Sequence, residues 1–330
     1  MPAPTRAAET RAARQRALAL RTVRAADVLW HEVRPGRITA SWRAIAAQMV
    51  ALLVAAQQAS AAGAQEYVED AVTELGGTSR PAGQLNISAF AGWAADGRSL
   101  VTLLDQPRIT VLTNIAAGVG EQQAMQAGRY ELLRIIGSET ADAGRSAAGV
   151  SIIGNRTATG YVRVISPGAC SRCVILAGLV FHTTQAFKRH PHCQCVNEPT
   201  IEGQHAAHID PDQYFRKLTV AEQDATFGLA GAQAIRDGAD ISSVVNVRRK
   251  GAVYTADAYG RRVLATREGT TRRGSFYRAE RQRAIDRGLV PASGRGFQLR
   301  APRLMPEEIY RLADTREEAV AMLRRFGYFR

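Results

Sequence analysis

All four cysteines of this 330-residue chain fall in one forty-residue stretch, at Cys170, Cys173, Cys193 and Cys195. The spacing is C-x2-C, nineteen residues, then C-x-C, with His190 and His192 just ahead of the second pair. Short gaps let one turn aim two sulfurs at a common point, and the longer gap is a loop that returns to it. A tetrahedral ion rich in thiolate ligands, zinc foremost, suits such a set. Two other readings fit the same residues, a disulfide framework and four unreactive buried thiols. The absence of a secretory pattern at the N-terminus weighs against disulfides.

A structural zinc takes four protein ligands, whereas a catalytic one keeps a position for water and needs an acid or base beside it. Here cysteine and histidine ligands are in surplus and Glu198 is the acid at hand. That balance favours a closed structural knuckle. The expected ligands are Cys170 and Cys173 with two or three of His190, Cys193 and Cys195. Placing both members of a C-x-C on one ion strains the backbone, so His190 with either Cys193 or Cys195 stays open. His192 adjoins Cys193 and points elsewhere in most backbone geometries, and His205 and His208 read as loop residues. One zinc per chain is expected, contributing on the order of 10 kcal/mol to a short loop-rich segment. G-x-S-x-G, H-E-x-x-H and Walker-type phosphate loops are absent from the sequence. A Cys170–His182 nucleophile pair can be drawn, with no local motif behind it.

The elements that must position these residues follow from periodicity. Helical spacing runs from Thr5 to Leu75, interrupted by Pro35-Gly36, with a second helix expected from Trp42 to Gly76-Gly77. Met49 and the tryptophans read as core. Another helix is expected over Arg108–Ser146, weakened by Gly118, Gly120 and Gly128. Beyond Gly149 the character changes: Tyr161–Ile165 reads as a strand ended by Ser166-Pro167-Gly168, which delivers Cys170. Thr219 and Glu222 form a capping-box pattern for a helix through Arg236. Val244–Val247, Ala252–Thr255 and Val263–Ala265 read as short strands. Gly269 to Gly296 reads as loop-rich, and Pro306 and Thr315 open a closing helix pair. The expected fold class is α+β and predominantly helical. A long N-terminal helical arm spans 1–148, a small mixed core with the zinc knuckle 149–240, and a basic loop-rich region with terminal helices 241–330.

Lysine and arginine number 43 against 30 acidic residues, a net charge of +13. Such an excess points to an acidic partner or to solubility alone. Basic clusters with interleaved aromatics make Arg248, Arg249, Lys250, Arg272 and Arg273 the candidate contacts for non-specific DNA binding or for an acidic protein rim. The longest apolar run, Ile45–Ala56, contains Gln48 and is shorter than the ~20 residues of a membrane span, so none is expected.

The run Pro167-Gly168-Ala169-Cys170-x-x-Cys173, through Leu176 and Gly178 to His190-Pro191-x-Cys193-x-Cys195, resembles the central motif of the phage minor head protein family, the Mu-type head morphogenesis proteins. The ending, with GADISSVVNVRR, TREGTTRRG and PRLMPEEIY, resembles minor capsid proteins of tailed actinobacterial phages. The resemblance implies a low-copy structural protein of the phage head. Its expected partners are the portal protein, the major capsid or scaffolding protein, and packaged or ejected DNA. The expected location is the head interior or portal vertex, with host cytoplasm during assembly. The family's cysteine and His-Pro motif falls on Cys170, Cys173, His190, Cys193 and Cys195. Some related genes are labelled capsid maturation proteases, and that is the alternative reading. Cleavage of co-expressed capsid protein or scaffold, abolished by a point mutation in this chain, would favour it. A third reading is a zinc-dependent nucleic-acid-binding module acting in the cytoplasm.

Overall fold

The computed structural model describes residues 4–165, 168–185, 193, 195–203, 210–293 and 296–329. The chain divides into two compact units, one of residues 1–169 and 176–209, the other of 170–175 and 210–330. The fold is α+β and predominantly helical, as its alanine-rich periodic segments require.

The first unit begins with α1 (Arg6–Trp30), α2 (Ile38–Ala61) and α3 (Ala64–Glu74), then α4 (Leu100–Leu104), α5 (Gln106–Ala116) and α6 (Glu121–Ile153). The expected Trp42–Leu75 helix is two, parted at Ala62-Gly63. The expected Arg108–Ser146 helix is also two, parted at Ala117–Gly120, and α6 continues past Gly149 to Ile153. Trp30, Trp42, Ile45, Met49, Leu53, Leu132 and Ile136 form one buried cluster, as the i, i+3, i+4 stripe of α2 implies. Trp93 departs from that expectation and is 63% exposed.

Long helices approach closely only where small residues meet. Gly144 of α6 faces Ser60 and Gln15, leaving no room for a Cβ. Ser60 donates its hydroxyl to Gln15 Oε1 at 2.6 Å, and Gln15 Nε2 donates to the Ser60 carbonyl at 2.7 Å. Arg11 donates to the carbonyls of Ser60 (2.6 Å) and Ala62 (2.8 Å), satisfying the end of α2, and burial pushes its guanidinium down to about 10. The stretch Ile38–Glu74 is long and apolar enough to cross a membrane by length and composition alone. It passes because no charged residue lies between Arg43 and Glu66, and here its buried stripe supplies helix core.

A three-stranded antiparallel sheet completes this unit. β1 (Ala158–Val164) lies between β2 (Val180–His182) and β3 (Val196–Ile201). Between β1 and β2 the chain makes the single turn α7 (Ser171–Val174), which groups with the second unit. Strand β3, not expected from the sequence, is buried at all six positions and holds Pro199 on an edge strand, where a missing N–H is tolerated.

The second unit continues with α8 (Pro211–Lys217), α9 (Val220–Phe227), α10 (Leu229–Arg236) and α11 (Ile241–Asn246). Thr219 and Glu222 form the expected capping box, but Gly228 (φ 76, ψ 150) ends α9 and starts α10. Val244–Val247 is helical rather than a strand. Asp240 accepts the Ser243 N–H at 2.6 Å, and Ile241, Val244 and Val245 bury one helical face.

Two of the expected short strands are present, as β4 (Val253–Ala258) and β5 (Arg261–Thr266), and they pair as a hairpin closed by Tyr259-Gly260. A helix, α12 (Ser275–Asp286), occupies the stretch read as loop-rich, anchored by buried Phe276 and Tyr277. β6 (Arg303–Leu304), α13 (Pro306–Leu312) and α14 (Arg316–Arg325) follow, so the closing helix pair is present. Arg303 is buried beneath this end. It donates to Phe326 O (2.8 Å), Glu268 O (2.9 Å) and Gly327 O (2.9 Å) and lies over the Tyr328 ring.

Candidate metal centre

Strand β1 leads toward the first cysteine pair, and β3 leaves the second. Cys170 precedes α7, and its sulfur accepts the Cys173 N–H at 3.4 Å. The turn carries Cys173 inward, where it is 2% exposed. On the other side, Cys195 directly precedes β3, whose register pairs Val196 with Val164 and Asn197 with Arg163. That pairing sets Cys195 beside the end of β1, whose last residue, Val164, is six residues ahead of Cys170 in sequence. Cys193 and Cys195 are as buried as Cys173.

The ligand atoms of Cys173, Cys193 and Cys195 all lie within 4.8 Å of one another, and the cysteines form no disulfide. Sulfurs at the corners of a zinc tetrahedron stand about 3.8 Å apart, from a Zn–S bond of about 2.3 Å. The three cysteines therefore could hold a metal ion with small side-chain adjustments. Both members of the C-x-C belong to this group, so the strain expected from that spacing does not keep either sulfur away. Cys170 is half-buried and stands outside the trio. His190, His192, His205 and His208 lie outside the described residues.

The backbone that carries the C-x-C is held by a residue the sequence reading did not single out. Arg145 of α6 donates from Nη1 to the Cys193 carbonyl at 2.6 Å and reaches the Cys195 carbonyl at 3.4 Å. Its Nη2 binds Asp142 one turn earlier. The available signal was an arginine, three residues after an aspartate, inside an alanine–glycine face that packing would otherwise fill with small side chains.

Glu198, the acid nearest the cysteines in sequence, is not poised as a base. It is 1% exposed, and its Oε1 accepts the Thr5 N–H at 2.6 Å, at the start of α1. Burial pushes its carboxyl above the ordinary glutamate range, against the lowering effect of that hydrogen bond.

The candidate basic contacts differ among themselves. Arg248 pairs with Glu307, and Arg249 lies 3.5 Å from Glu268, while Lys250, Arg272 and Arg273 are exposed.

Fold and site together define a helix-dominated α+β protein with a buried cysteine cluster able to hold a metal. A family model described as VG15 protein matches residues 1–220, a span that includes every cysteine. The chain belongs to that family, which is a phage-associated family of viral gene proteins, and is a phage protein. No curated protein and no solved structure matches it.

Proposed function

We propose that this phage protein is a non-enzymatic structural component of the head, with a zinc ion fastening the C-x2-C turn to the C-x-C segment. The supporting observation is the buried trio Cys173, Cys193 and Cys195 in a chain of a phage-associated family. The donor set is soft and enclosed, which suits zinc in a closed structural role. Cys170 or His190 completes the tetrahedron. A zinc bound there ties together the two ends of the segment between the cysteine pairs. The minor head resemblance extends this reading to assembly at the portal vertex, with the portal protein and the major capsid or scaffolding protein as partners. Arg272 and Arg273, exposed on a strongly basic unit, are the foremost contacts for DNA or an acidic protein rim.

Two measurements test this. Elemental analysis of the purified chain is expected to give about one zinc per molecule, with the thiols titrating only after chelation. Metal-free protein with four reactive thiols overturns the zinc assignment. Mass spectrometry of purified virions and portal-containing assemblies is expected to detect the chain, and its confinement to the host cytoplasm overturns the head assignment.

A further inference from the structure

The contact between α6 and the second cysteine pair has a chemical meaning beyond packing. Cys193 and Cys195 are both buried, and their sulfurs belong to the trio whose ligand atoms lie within 4.8 Å of one another. One guanidinium nitrogen, Arg145 Nη1, engages both their carbonyls, at 2.6 and 3.4 Å. A donor that ties down both carbonyls restrains the backbone that carries both thiols, and so keeps the two sulfurs, within 4.8 Å of each other, presented together. That is the presentation a C-x-C needs if both sulfurs are to reach one ion.

We propose that Arg145 is the positioning residue of the metal centre, preorganising the C-x-C as a two-sulfur ligand for a thiophilic divalent cation. The proposal rests on the metal reading above.

Three features make the device specific. Arg145 is 6% exposed, so its contacts do not compete with bulk water. Asp142 holds Nη2 from the same helix, which fixes the plane of the guanidinium and thereby the direction of the donor at Nη1. Helix α6 is 33 residues long and packs against α1, α2, α3 and α5, so the donor is mounted on the most extensively braced helix of its unit. The charge is apt as well. A divalent cation on three thiolates carries net negative charge, and a buried guanidinium nearby offsets it. Outer contacts of this kind are worth roughly 10–100-fold in metal affinity.

The test uses the full chain, stripped of metal by chelation and titrated with Co2+, whose sulfur-to-metal charge-transfer band reports thiolate ligation. Arg145→Met is expected to weaken Co2+ binding by about 10–100-fold, with the band intensity per bound ion unchanged at saturation. Arg145→Lys, which keeps one cationic donor, is expected to recover part of the loss. Helix content by circular dichroism is expected to stay at the wild-type level in both. Asp142→Asn, which loosens the guanidinium without removing it, is expected to give a smaller loss and serves if Arg145→Met does not fold.

Affinity within twofold of wild type in Arg145→Met, or in Asp142→Asn where that variant stands in, overturns the proposal. A loss that tracks lost helix content, or that Arg145→Lys leaves wholly unrecovered, overturns it too. Failure of the wild-type chain to bind Co2+ or zinc overturns the metal reading itself, and is seen before any variant is compared.

Discussion

Glu198 shows what one buried side chain does to the pH response of the whole fold. Its carboxyl titrates higher in the folded chain than in the unfolded one, because burial disfavours the charged form. The folded state therefore binds the proton more tightly, and stability falls as pH rises from about 4.3, the unfolded value, through the folded value. Glu198→Gln keeps an acceptor for the Thr5 N–H and removes the buried charge. Urea unfolding at a series of pH values is expected to show a shallower decline over that window in the variant, and an unchanged slope would remove Glu198 from the account. At this scale the sequence was partly legible. Cysteine spacing located the site, because ligand chemistry constrains spacing. The separation of Cys170 from the trio was not readable, nor was the hold of Arg145, since both depend on where α6 and β3 come to lie.

Among the elements, the contact of α5 with α6 leaves no room for a side chain at Gly128. A Cβ on Gly128 would overlap Val111 and stand 2.8 Å from the Pro107 carbonyl, with Trp30 at 3.0 Å. Backbone cannot retreat as a flexible side chain can. Gly128→Ala is expected to destabilise by about 1–3 kcal/mol despite the better helix propensity of alanine, which a shift in urea midpoint would register. The same glycine argued against an unbroken helix in the sequence, yet it lies within α6 as a contact residue and not as a breaker. Caps were the most legible features. Thr219, Thr315 and Pro306 mark helix starts as expected, because capping is a local hydrogen-bond matter. Val244–Val247 misled because a short β-branched run suits either state, and a capping aspartate with packing from its own unit decided for helix.

Taken as a whole, the molecule segregates its charge. The second unit holds 24 of the 43 basic residues but 15 of the 30 acidic ones, and so nine of the thirteen excess positive charges. Some of its arginines are committed to internal pairs, Arg248–Glu307, Arg249–Glu268, Arg236–Asp224 and Arg316–Asp237, which leave that excess unchanged. Arg272 and Arg273 are exposed and appear in none of these pairs. If they touch DNA phosphates, replacing both by glutamine is expected to lower the slope of log K against log salt by about 1.8, two contacts at roughly 0.9 each. A slope unchanged by the double variant would exclude DNA contact at these two positions. Composition made the basic excess plain. It did not show which arginines were already committed, and Arg303, wholly buried among carbonyls, looked from the sequence like any other member of the basic stretch.

The hydrogen bond from Thr5 to Glu198 also sets a timetable. It ties the first turn of α1 to a strand 193 residues later in the chain. A ribosome adding about 5–20 residues per second takes on the order of 10–40 s to cover that distance. Helix α1 is thus made well before the strand that anchors it. Through that interval the arginine-rich, alanine-rich segment stands without the strand that will close over its start, and a chain cut short before β3 leaves it so for good.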